Sequence, residues 1–134
     1  MAKIIGNVVP EDDYTHPLGE ETNFNESMYF NFFDREQNRG GFVRMGNRAN
    51  EGYAEMTVIV YNADGSALFN YKRAKIENND GWDAGGLQVE VIVAGEELQT
   101  RYEGSAVYLT DPREMRDPSR AFKENPHKSL LVDL

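Results

Sequence analysis

From Met28 onward, apolar and polar residues alternate with a period of two, the signature of half-buried strands. The clearest run is Tyr53 to Asn62, where Ala54, Met56, Val58 and Val60 form one apolar set and Tyr53, Glu55, Thr57, Ile59 and Tyr61 the other. Leu87, Val89, Val91 and Val93 alternate in the same way with Gln88, Glu90 and Ile92. Aromatic-rich Met28–Phe33 and the stretch Phe42–Arg48, which opens on Gly40-Gly41, are read as a strand pair, with a turn at Asn50-Glu51-Gly52. Asp64-Gly65 predicts a type I′ hairpin turn leading into Ala67–Arg73. Leu98–Tyr102 and Ala106–Leu109 read as two strands separated at Gly104, and Leu130–Leu134 as a last one.

Two segments break the alternation. Residues 1–25, with Pro10, Pro17 and Gly19, read as an irregular lead-in that carries at most one short helical turn. Asp111-Pro112 and Asp117-Pro118 each place an N-cap side chain before a proline at the first helical position. They predict a turn at Arg113–Met115 and one short helix over about Pro118–Lys123. About seven to nine short strands and one helix give an all-β, antiparallel barrel or sandwich. Parallel strands would be apolar on both faces.

The 134 residues amount to one domain, 1–134. The chain contains no cysteine, which excludes disulfides, thiolate chemistry and Cys-type metal sites. Its net charge is −9, with 14 basic residues scattered among 23 acids, so it has no cationic stripe to meet a phosphate backbone. Nucleic acid is not an expected partner. Met1–Gly6 is too short for a secretory signal, and no window approaches the roughly 18 apolar residues of a membrane span. The expected location is cytoplasmic.

Cofactor chemistry finds no motif. Gly40-Gly41 and Gly85-Gly86 lack the spacing of a phosphate loop, and there is no nucleophile elbow. His16 and His127 lie at opposite ends of the chain in proline-flanked segments, so no metal site is expected.

Candidate site residues follow from strand parity. If Val43 and Met45 share a core with Met56 and Val58, then Arg44, Arg48, Tyr53 and Glu55 share the opposite face. That face is either a solvated sheet surface with cross-strand ion pairs or the inner lining of a barrel, where the same residues orient a ligand. Tyr29 and Asn31 raise the same choice on the aromatic strand, which has aromatic residues on both faces, as a strand buried on both sides would. Trp82, between Asp80 and Asp83, is read as a half-exposed cavity lid or loop anchor.

The run Glu26-Ser27-Met28-Tyr29-Phe30-Asn31-Phe32-Phe33-Asp34 and the run Gly40–Glu55 together resemble the N-terminal domain of the lipocalin-like AttH and carotenoid hydratase (hydroxyneurosporene synthase) group. Asp83-Ala84-Gly85-Gly86-Leu87 and the Asp111–Phe122 segment extend the resemblance to roughly residues 24–134. The resemblance implies a lipocalin-like β-barrel that holds a small apolar molecule of terpenoid, steroid or fatty acyl type. It also implies two alternatives. One is a hydratase, isomerase or cyclase acting on an isoprenoid-like alkene; the other is a structural half of a two-barrel protein or homodimer. Such proteins carry two consecutive barrels, and this chain, which stops at Leu134, corresponds to the first. The group's acid–base residues lie mainly in the second barrel, so the resemblance carries no catalytic residue onto this chain. It leaves Tyr29, Asn31, Arg44, Arg48, Tyr53, Glu55 and Trp82 as candidate ligand contacts.

Overall fold

The alternation along the chain decides which side of each strand is wet. In β3 (Tyr53–Tyr61), Ala54, Met56, Val58 and Val60 are buried while the residues between them keep contact with solvent. The computed structural model describes residues 6–134, so most of Met1–Gly6 lies outside the described residues. Around β3 are β1 (Glu26–Asp34), β2 (Arg39–Arg48), β4 (Ala67–Lys75), β5 (Trp82–Ala84), β6 (Leu87–Val93), β7 (Glu97–Leu109) and β8 (His127–Asp133). The one α-helix among the described residues, α1 (Pro118–Glu124), precedes β8. No helix among them is long and apolar enough to cross a membrane.

All strand pairs are antiparallel, in the order β1-β2-β3-β4-β7-β6-β5, with β8 on the far side of β7. Strand β7 organises the sheet. Tyr102 pairs with both Leu87 and Val132, and Val107 with both Phe69 and His127, so β6 and β4 occupy the same edge of β7 one after the other. Between them the sheet splits and curls into a half-barrel, with β1–β4 facing β5–β8. Val43, Met45, Met56, Val58, Leu87 and Tyr102 fill the space between the halves, joined by Leu130 and Val132 of β8. Each such side chain contributes about 1.5–3 kcal/mol.

The sequence reading is revised at three places. The type I′ turn is not at Asp64-Gly65, because only Gly65 has positive φ (+87°). Instead Gly65 N–H donates to Asn62 O (3.0 Å), and Asp64 Oδ1 accepts from both the backbone N–H and the hydroxyl of Ser66. This is a three-residue loop ending in a left-handed glycine. Gly85 and Gly86, both at positive φ, join β5 to β6. Gly104 is not a break: β7 runs straight through it, and the missing Cβ, which would lie 2.7 Å from the Tyr102 hydroxyl, leaves that hydroxyl its room. Strand β1 is not buried on both sides, since Tyr29 and Phe33 are 55% and 63% exposed.

Helix α1 begins as its sequence implies, with Asp117 Oδ1 accepting from Arg120 N–H and Pro118 at the first position. It lays Ala121 and Phe122 on Val107, Leu109 and Phe69, covering one end of the outer sheet face. The lead-in forms a 3-10 turn at Pro10–Asp13 and is pinned across the far end of the core. Trp82 Nε1–H donates to Asp13 O (3.4 Å), Gly95 N–H to Asp13 Oδ2 (2.5 Å), and Asn50 Nδ2–H to the carbonyls of Gly19 and Glu21.

Candidate ligand-binding face

Register gathers the candidate residues. Across β1, β2, β3 and β4 the outer-face positions fall into rows: Tyr29–Arg44–Thr57–Tyr71, then Gly46–Glu55–Arg73, then Arg48–Tyr53–Lys75. On the other side of the first row lie Asn31–Phe42–Ile59–Phe69 and Phe33–Gly40–Tyr61. Successive rows are about 7 Å apart, two residues of strand rise.

Six of the seven residues singled out in the sequence therefore share one face: Tyr29, Asn31, Arg44, Arg48, Tyr53 and Glu55. That face is the outside of the half-barrel. Their reading as an inner lining is corrected, because the inner face is occupied by Val43, Met45, Ala54, Met56 and Val58, each fully buried. Trp82 does not belong with them. It is 7% exposed and packs in the core, since pairing with Val89 in the β5–β6 hairpin gives it the inward parity of Ala84 and Leu87.

Three guanidinium groups converge on Glu55. Its carboxylate lies 3.5 Å from Arg73, 3.7 Å from Arg44 and 4.0 Å from Arg48. None of these approaches is a hydrogen bond. Arg48 donates instead to Glu51 (2.9 Å), which raises its pKa, and its buried Nε–H has no partner among the described residues. Arg73 donates to the Tyr71 hydroxyl (3.1 Å), the main cause of its raised pKa, and stacks over the Tyr53 ring at 5.1 Å. Arg44 folds over Gly46, where a Cβ would lie 3.2 Å from its guanidinium.

Beside this cluster is an open depression of about 850 Å³ lined by Tyr29, Asn31, Phe33, Phe42, Tyr61 and the turn residues Asn62, Ala63 and Gly65. Tyr29 and Phe42 form its wall, with ring centroids 5.3 Å apart. Gly40 forms part of its floor, because a Cβ would meet the Phe33 ring at 2.9 Å. Phe33, Phe42, Tyr61, Tyr71 and Arg73 were missed in the sequence reading. A two-residue loop at Asp64-Gly65 would place Ala74 opposite Glu55; the actual three-residue loop shifts the register by one and places Arg73 there.

The lead-in carries a second polar cluster. His16 Nδ1 lies 2.8 Å from Glu26 Oε1 and Nε2 lies 3.1 Å from Asp12 Oδ1. Glu26, then Asp12, raises the imidazole pKa, while the Val9 N–H bond, then His16, lowers that of Asp12. With both ring nitrogens held by carboxylates, His16 is a clip between the lead-in and β1. Among the described residues no group of three or more His, Cys, Asp or Glu side chains is placed to hold a metal ion.

No curated protein and no solved structure matches this chain. A family model described as a domain of unknown function matches residues 9–128, which include the lead-in clip, the curled sheet and the outer-face cluster. The chain belongs to this family, DUF7064.

Proposed function

We propose that this domain binds a small molecule with an extended apolar body, of terpenoid, steroid or fatty acyl type, on the outer face of its sheet. The observation that carries this reading is the aromatic depression formed by Tyr29, Phe33, Phe42 and Tyr61, which α1 leaves uncovered. Its volume falls in the range of small-molecule sites, with aromatic walls and the side-chain amides of Asn31, Asn38 and Asn62 in its lining. A packed half-barrel supports the role of rigid scaffold, since preformed walls lower the entropic cost of binding.

A second reading is favoured by the exposure of Tyr29, Phe33, Tyr61 and Tyr71 along one face. Tyr and Arg anchors of this kind are enriched at protein interfaces, and a second barrel or a second copy of the chain would cover them. Titration calorimetry with dodecan-1-ol, together with light scattering, separates the two readings. A saturable heat from a monomer supports the small-molecule site; Phe33→Asp, at a mostly exposed position, is expected to abolish it without changing the melting temperature. A stable dimer that Phe33→Asp dissociates, with no heat from the ligand, supports the interface instead.

A further inference from the structure

We infer that the ligand of this face carries one carboxylate, seated between Arg44 and Arg73 at the end of the aromatic depression. The inference rests on the small-molecule reading and names the chemical class of its occupant.

The charge balance points to a monoanion. Arg44, Arg48 and Arg73 face Glu55 and Glu51, and Lys75 of the same rows is balanced by Glu77, leaving one positive charge on this patch of a chain whose net charge is −9. One carboxylate neutralises it, whereas a phosphate monoester, at about −1.5 to −2 near pH 7, overshoots.

Donor geometry agrees. Arg44 makes no side-chain hydrogen bond among the described residues and approaches Glu55 only at 3.7 Å, so its planar fork of N–H groups is free for a bidentate carboxylate. Arg73 is held in place by the Tyr53 ring and the Tyr71 hydroxyl, while its terminal nitrogens remain available. Glu55 spaces the guanidinium groups and balances part of their charge in the free protein.

Position supplies the rest. Arg44 is the cross-strand partner of Tyr29, a wall of the depression, and Phe42 and Gly40 follow along β2 at steps of about 7 Å. A head group at Arg44 thus directs an apolar chain of roughly 14 Å over Phe42 toward Phe33 and Tyr61.

The test is titration calorimetry of the full chain with dodecanoate and with dodecan-1-ol, which share the chain and differ in the head group. Dodecanoate is expected to bind at least tenfold more tightly, and Arg44→Gln and Arg73→Gln are each expected to weaken it five- to tenfold without changing dodecan-1-ol. Unfolding curves check that both variants fold; Arg73, mostly exposed, is the safer of the two. Equal affinity for the two probes, or arginine variants that bind dodecanoate normally, would overturn the carboxylate seat and leave the apolar site standing. Binding of neither probe overturns both.

Discussion

Arg73 stands directly across the β3–β4 pair from Glu55, 3.5 Å from its carboxylate, yet its side-chain hydrogen bond goes to Tyr71. The pair is therefore a charge contact without a shared hydrogen bond, its Arg73 end 62% exposed and its Glu55 end 19%. Open to solvent on the arginine side, it stays near the surface range of about 0–1 kcal/mol. Glu55→Gln is expected to leave urea-unfolding stability within about 1 kcal/mol of the parent and to tighten dodecanoate binding by removing the competing carboxylate. A large loss of stability would mean that Glu55 holds the strands together.

The Tyr102 hydroxyl has the opposite character. It is buried, accepts from Asn70 Nδ2–H at 2.9 Å and donates to Ser105 O at 2.6 Å, where β4 and β6 part company along β7. Tyr102→Phe leaves the buried Asn70 amide without its partner and removes the bond to the carbonyl of exposed Ser105, and chemical denaturation is expected to show a loss of about 1–3 kcal/mol.

Gly41 permits close packing of β2 on β3. A Cβ there would run into the backbone carbonyl of Ile59, which cannot swing away as a side chain can. Gly41→Ala is expected to destabilise by about 1–3 kcal/mol. Gly52→Ala, where space is open but φ is +83°, tests backbone strain alone at the turn into β3.

The His16 clip gives the lead-in a pH dependence. The folded-state pKa of His16 is raised above 6.5, so its contribution is complete below that value and is lost as pH rises through the raised one. Asp12 is lowered below 3.8, so its share is present above that value and lost as pH falls through the lowered one. Trp82, whose indole N–H donates to Asp13 O in the same lead-in, reports the clip through its fluorescence. Loosening as pH rises through the raised His16 pKa is expected in the parent and absent in His16→Gln.

Much of this architecture is legible in the sequence. Ala54, Met56, Val58 and Val60 mark the buried face of β3, and parity alone gathers Glu55 with two of its three arginines, Arg44 and Arg48. Pro118 behind Asp117 marks the helix. What escaped the sequence reading depended on distant contacts. Arg73 joins the cluster only through the loop that sets the β3–β4 register. Trp82 looks exposed among Asp and Gly until its pairing with Val89 turns it inward. Which side of the curled sheet is the inside depends on how β7 divides its edge between β6 and β4, and local alternation does not carry that information.

The measurement that bears most directly on the outer-face site is a backbone amide NMR titration of the full chain with dodecanoate. Shifts concentrated at Tyr29, Phe42, Arg44 and Tyr61, with Leu87, Tyr102 and Val132 unmoved, are the expected result. Shifts centred on Leu87, Tyr102 and Val132 would place the ligand inside the half-barrel and contradict the account.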